Sequence, residues 1–402
     1  MKFCINDMLY ALSFALDCVE SELLGAKRHH SERVALLCVE TGRQLGLREN
    51  ELLDLSACAV LHDNALTEYT ALLHTQGGSA HAAQAPQESL RPHCEIGERN
   101  IEGLPFAART KNAILYHHEN ADGSGAFGLT SAETPLYARL IHLGDTFDNL
   151  YDLNKLTPPR YEEIAQWLES DRNKLFDNEL VEALLAAFPL AESGKLQDDC
   201  VRGELNAALP HSCAEHDRKE IENIAALFAH ITDCKSHFTC RHSIGIAEKC
   251  REMGEYYGCD PETVTKLYFA GALHDIGKLT TPAAILEKPD KLTPEEREIM
   301  KLHVTETYHI LSGIEGLEEI CSWASMHHEK LDGSGYPFGK KADELGKFER
   351  LLACIDIYQA LTEDRPYKKG MTHRQSMEIL QGMVQKGQLD GQIVVDIDRR
   401  FQ

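Results

Sequence analysis

The chain is short of positive charge, of long apolar runs and of patterned cysteine. Only 41 of its 402 residues are Lys or Arg, against 64 Asp or Glu, for a net charge of −23. Such a balance excludes broad electrostatic binding to DNA or to anionic lipid, although one local group of cations can still hold a small anion. Both halves are acidic: residues 1–200 carry 16 Lys and Arg against 31 Asp and Glu, and the remainder 25 against 33. No stretch approaches the roughly 18 apolar residues that a membrane-spanning helix needs. The first residues, MKFCINDMLYALSF, have one Lys and place Asp7 inside a short apolar stretch, unlike an export signal. The 13 cysteines include no CxxC pair. They are expected to be reduced thiols packed as small apolar side chains, in a protein of the cytoplasm.

What is present is a repeat. His30-Ser31 recurs as His242-Ser243, and LHDNAL at 61–66 recurs as LHDIGK at 273–278, both 212 positions later. His93 and His303 are 210 apart, as are His117-His118 and His327-His328, and Asp145 and Asp356 are 211 apart. Offsets this steady across five segments mean a duplicated domain with small insertions. The expected division is a first domain over 1–190, a linker over 191–213 that is partly helical, and a second domain over 214–402.

The local patterns are helical. IENIAALFAHI spaces its apolar residues for a helix face, Asp260-Pro261 starts a helix, and KLTPEEREIMKLH offers Thr293, Pro294 and Glu296 as cap, first turn and capping box. Strand-like alternation and Asn-Gly hairpin signals are missing, so the fold class is all-α, as two tandem bundles.

Chemistry enters with His242, His274, Asp275, His303, His327, His328 and Asp356. Five imidazoles and two carboxylates can hold two divalent ions, of Fe, Mn, Co, Ni or Zn, with no thiolate involved. The carboxylate of Asp275 has two oxygens and can bridge the ions, and such a pair can clamp a phosphodiester and activate a hydroxide for in-line attack. Taken singly, a surface histidine or a His-Asp dipeptide means little; here seven donors recur together and in order while their neighbours diverge. Lys278 lies one helical turn beyond Asp275, where it can hold a phosphate oxygen or assist the leaving oxygen. Gly333, Gly335 and Pro337 shape a loop that presents Tyr336. The segment DRPYKKG brings Arg365, Lys368 and Lys369 as candidates to grip phosphate.

HDIGK, HHEKLDGSGYP and the stretch from Asp356 to DRPYK resemble the HD-GYP family, a branch of the HD phosphohydrolases, over roughly residues 220–385. The resemblance implies a helical bundle with a di-metal site, often iron or manganese, that hydrolyses a cyclic dinucleotide: cyclic di-GMP, or 3′,3′-cyclic GMP-AMP, to the linear form. It places the metal ligands on the seven donors above, with Lys278 near the phosphate; Asp275 and Lys278 are the expected catalytic groups, and Lys278, Tyr336, Pro337, Arg365 and Lys368 the expected substrate contacts. Members with a third metal use a Glu four residues before the first His; here that residue is Phe238, which implies two ions. The family commonly has Arg where this chain has Lys368, so the charge is kept and the bidentate fork is lost.

The first copy keeps all seven donors, His30, His62, Asp63, His93, His117, His118 and Asp145, and so can hold metal. It has Leu66 for Lys278, Ala126-Phe127 for Tyr336-Pro337 and Asn154 for Arg365. It therefore resembles a degenerate copy with a structural or regulatory role. Two other readings compete with the phosphodiesterase: a non-catalytic scaffold that binds a nucleotide or a signalling protein, and a phosphohydrolase acting on another nucleotide. The two bundles could also pair as an internal pseudo-dimer.

Overall fold

The computed structural model describes every residue except 76–89, 107–109, 152, 171, 237–241 and 365–368. Phe238, Arg365 and Lys368 thus lie outside the described residues. The chain divides into two compact units, Cys4–Cys213 and Ala214–Gln402, the latter together with Met1–Phe3.

Helices make up the first unit: α1 (Ile5–Leu24), α2 (His30–Gln44), α3 (Glu49–Val60), α4 (Leu66–Thr75), α5 (Arg91–Asn100), α6 (Leu136–Leu150), α7 (Pro158–Ser170), α8 (Asn178–Ala187) and α9 (Val201–Ala208). At its centre, α2 packs on α3, α6, α8 and α9 and is buried continuously from His30 to Val39. A helix enclosed on all faces must have its charges paired. Arg33 is fully buried; its Nε lies 2.6 Å from Asp148 Oδ1 and a second nitrogen 2.8 Å from Asp198. Glu32 accepts from Ser13 at 2.8 Å and from Arg202 Nε at 2.8 Å. Asp198 and Arg202 belong to the stretch expected as a linker. Residues 191–213 instead pack into the first unit, because two buried charges of α2 take their partners there, while Val201 and Leu205 of α9 are fully buried.

The second unit contains α10 (Arg218–Cys234), α11 (His242–Tyr256), α12 (Pro261–Leu273), a 3-10 segment over Ile276–Thr280, α13 (Ala283–Leu286), α14 (Pro294–Ser312), α15 (Glu318–Ser325), α16 (Lys347–Thr362), α17 (His373–Gln385) and α18 (Gly391–Arg400). Its starts follow the sequence signals. Asp260 accepts from the Glu262 and Thr263 amides, each at 3.0 Å, ahead of Pro261. Thr293 and Glu296 close a capping box. The main seams run between α11 and α12, and between α14 and the 3-10 segment. One feature departs from the expected division: strand β1 (Lys2–Phe3) pairs antiparallel with β2 (Ala214–Glu215), in the second unit. Phe3 is the reason. Its ring is fully buried, 4.5 Å from the His216 ring and 6.1 Å from that of Phe269.

Candidate metal centres

In the second unit His242 opens α11, His274 ends α12, His303 comes from α14, His327 and His328 follow α15, and Asp356 comes from α16. All seven expected donors are brought together. Asp275 sits in the middle: its Oδ2 is 3.0 Å from His274 Nε2, and its Oδ1 is 3.3 Å from His303 Nε2 and 3.9 Å from His327 Nε2. Asp356 lies 3.5 Å from His242 Nε2 and 3.7 Å from His328 Nδ1. Lys278 Nζ donates to Asp275 Oδ2 at 2.5 Å.

The backbone aims three of these rings. His274, His303 and His327 each bond through Nδ1 to the carbonyl three residues earlier, Gly271 at 2.8 Å, Met300 at 2.6 Å and Ala324 at 2.6 Å. A carbonyl can only accept, so Nδ1 carries the proton and Nε2 is left with a lone pair facing the cluster. All three Nε2 atoms are buried and have no hydrogen-bond partner. A buried acceptor without a donor is costly, and a metal ion would satisfy three at once. The donor set therefore fits a divalent ion.

Electrostatics agrees. Burial drives the His303 imidazole down to about 4 and lowers His327 and His328, so these rings are neutral at ordinary pH, the form a metal ligand needs. His242 goes the other way. Burial would lower it, but Asp356 and Glu363 on its ring raise it to about 9. Asp275 is buried, which favours the neutral acid, yet His274 and Lys278 hold it well below the usual carboxylate range.

Tyr336 packs on His328 with ring centroids 4.9 Å apart, and Lys301 Nζ lies 5.6 Å over its ring. Pro337 is half-buried beside it, and Lys369 is exposed. The loop is held by a residue that the motif contains but the sequence reading did not use. Glu329 accepts from the amides of Phe338, Gly339 and Lys340 at 2.7, 3.1 and 3.0 Å. Glu119 does the same for Phe127 and Leu129 in the first unit. Its recurrence in HHEN and HHEK was the available signal. Gly335 is needed there, since a Cβ would meet the Lys330 nitrogen at 2.4 Å.

The first unit assembles its own seven donors. His62 and His117 bond through Nδ1 to the carbonyls of Ala59 at 2.8 Å and Ile114 at 2.5 Å. Their Nε2 atoms, and that of His93, are buried without a hydrogen-bond partner. Asp63 Oδ1 is 2.9 Å from His93 Nε2, and Asp145 Oδ1 is 3.3 Å from His30 Nε2. Ligand atoms of Asp63, His93, His117 and His118 fall within 4.8 Å of one another, as do those of His303, His327 and His328 in the second unit. Two orienting carboxylates escaped the sequence reading: Asp148 on His30 Nδ1 at 2.7 Å, and Glu363 on His242 Nδ1 at 2.9 Å. A third, Glu20, approaches His30 Nε2 at 3.3 Å.

An all-α bundle carrying buried His-Asp clusters is the architecture of HD domain proteins, and the HD domain family matches this chain over residues 18–180 and again over 221–393. The chain belongs to that family, in two copies. It is 29% identical to the 3′3′-cGAMP-specific phosphodiesterase 1 of Vibrio cholerae, across 99% of this chain and 92% of that protein. A cyclic di-GMP phosphodiesterase of Thermotoga maritima is 38% identical over 37% of this chain and 40% of its own length. A crystal structure of a cyclic GMP-AMP specific phosphodiesterase of V. cholerae shares the fold, with a TM-score of 0.67 at 23% identity, covering 100% of this chain and 98% of that one. No helix among the described residues is long and apolar enough to cross a membrane.

Proposed function

We propose that this protein is a metal-dependent phosphodiesterase that opens a cyclic dinucleotide to its linear form, with the reaction confined to the second unit. The observation that carries this reading is Lys278 against Asp275 inside a full donor set, beside the Tyr336 loop. The seven donors from His242 to Asp356 would hold two divalent ions, Fe or Mn first among them, which when bound supply Lewis acidity and an activated water. Asp275, its two oxygens turned to different imidazoles, would be a ligand common to them. Lys278 offers an ammonium on Asp275. Its proton is held firmly, since Asp275 raises its pKa despite burial, so its first task is to hold a phosphate oxygen rather than to give up a proton at rest. Tyr336, packed on His328, and Pro337 would contact the substrate, and Arg365 and Lys368 remain candidates for the second phosphate.

For the substrate we take 3′3′-cGAMP first. The relative aligned along almost the whole chain is specific for it, whereas the cyclic di-GMP enzyme matches little more than one third. In the first unit Leu66 stands where Lys278 would be and is buried, so a phosphodiester finds no ammonium at that position. The test is to load the purified chain with Mn(II) or Fe(II), offer 3′3′-cGAMP and cyclic di-GMP, and separate products by chromatography. Linear product is expected from the parent and none from Asp275→Ala. Lys278→Ala should retain its metal and slow turnover about 100-fold. Full turnover by Asp275→Ala would reject the site.

A further inference from the structure

The first unit holds a carboxylate that has no equivalent among the described residues of the second. Helices α1 and α10 are aligned by the same clasp. Asp17 accepts from Ser31 N and Oγ at 3.0 and 2.6 Å, and Asp233 from Ser243 N and Oγ at 3.1 and 2.7 Å. Three residues beyond the clasp the first unit has Glu20, and the second has Ser236.

Glu20 is 2% exposed, and its ligand oxygen lies within 4.8 Å of ligand nitrogens on His30 and His62. Both of those Nε2 atoms are buried and lack a hydrogen-bond partner. Glu20, Asp63 and Asp145 thus converge on one group of imidazoles, on the wall of a cavity of about 420 Å³. The position that places an ammonium on Asp275 in the second unit is Leu66 here. Lys27 is on the same wall, but its Nζ donates to the Asp148 and Tyr151 carbonyls at 2.5 and 2.6 Å. Arg33 is held by Asp148 and Asp198. Three carboxylates in a buried site, with orphaned imidazole nitrogens among them and, among the described residues, no ammonium on the central aspartate, describe a cation site with one more carboxylate oxygen donor than its sister.

We propose that the first unit is a metal centre in its own right, in which Glu20 is an eighth donor that binds a divalent cation together with His30 and His62. Extra carboxylate oxygen favours Mn(II) and similar hard ions. The inference concerns cation binding only and stands whether or not the second unit hydrolyses a cyclic dinucleotide.

The test uses the full chain carrying His274→Ala and Asp275→Ala, which empties the second centre, with Mn(II) alone as the probe. Bound Mn per chain is measured by elemental analysis after titration in a chelator-buffered series, with folding checked by circular dichroism. This background is expected to keep Mn in the first unit. Adding Glu20→Gln should weaken that binding by about 10- to 100-fold, at least the effect of losing an orienting partner. Leu66→Lys, which imports the ammonium of the second site, should weaken it in the same direction and serves if the Glu20 variant does not fold. A background chain that holds no Mn overturns the proposal. So does unchanged affinity in Glu20→Gln, which would mean that Glu20 serves only as an ion-pair partner of His30. Should only the Leu66→Lys chain fold, unchanged affinity in it has the same force.

Discussion

Gly277, in HDIGK, is the position where one methyl group should cost the second centre its geometry. The 3-10 segment Ile276–Thr280 lies against α14, and a Cβ on Gly277 would stand 2.0 Å from the His303 carbonyl oxygen and 2.7 Å from the Thr307 nitrogen. Both are backbone atoms and cannot swing aside. Ordinary contact begins near 3.4 Å, so α14 would have to retreat by about 1.4 Å. The retreat would strain the bonds from Thr307 Oγ1 to the His274 carbonyl and from the Gly277 amide to Thr307, at 3.0 and 3.1 Å. It would also carry His303 Nε2 away from Asp275. Overpacking of this kind costs about 1–3 kcal/mol, and a displacement of ~1 Å in a catalytic group can cost about 100-fold in rate. Gly277→Ala is therefore expected to lower the melting temperature, reduce retained Mn(II) and cut turnover about 100-fold. Melting curves, elemental analysis and product chromatography read the three effects. A variant that melts, binds Mn and turns over like the parent would refute the argument. The first unit supplies an internal control, since Ala65 occupies the equivalent position and faces Gly97 where the second unit has Thr307; a Cβ built on Gly97 lies 3.7 Å from that of Ala65.

Phe3→Ala should destabilise the second unit by about 3–5 kcal/mol, as other buried Phe truncations do, and a truncation that left its unfolding transition in place would show that β1 is dispensable. Glu363→Ala removes the carboxylate that orients His242 and should weaken metal binding by about 10- to 100-fold; equal affinity would demote it to a bystander. Burial lifts the Asp233 carboxyl from 3.8 to about 6, with Ser243 opposing. The folded state thus favours the neutral acid: stability is greatest below the unfolded pKa and falls as pH rises through about 6, by roughly 3 kcal/mol. Asp233→Asn keeps an acceptor for Ser243 without the charge. Melting of both proteins between pH 4 and 7 should show that part of the slope gone from the variant, and parallel slopes would contradict it.

The donors were legible because the chain repeats itself, and the repeat also decided what was missed. Comparison of the copies keeps what recurs at an offset of 210 to 212 and discards what moves. The group that orients the first imidazole of each cluster has moved. Asp148 lies three residues after Asp145 on α6, whereas Glu363 lies seven after Asp356, at the end of α16. Each makes the same Nδ1 contact, yet Asp148 aligns with Gln359. Glu20 was lost for the opposite reason, having no counterpart to recur with. The linker was misplaced on composition: polar, small residues over 191–213 read as solvent-facing, whereas Asp198 and Arg202 are polar because buried Arg33 and Glu32 require them. Helix starts were the most legible feature, since Asp260 and Thr293 act on neighbours two or three residues away.

On the proposed reading the seven donors do not tell the two copies apart, because the same backbone feature aims histidines in both. His62, His117, His274, His303 and His327 are aimed by a bond from Nδ1 to the carbonyl three residues earlier. That latch is written in the backbone of the turn or helix that carries the histidine rather than in the chemistry of the cluster, although His93, the counterpart of His303, has no hydrogen-bond partner on Nδ1. Lys278 has no such latch. Its position depends on a long flexible side chain finding Asp275, and it is retained for what the ammonium does in the cluster or not at all. Tyr336 is likewise placed by a loop, through Glu329, and the first unit keeps that anchor as Glu119 while presenting Phe127 beyond it. On the proposed reading, the residues that would distinguish a centre able to hold a phosphodiester from one that only holds metal are those the backbone does not aim.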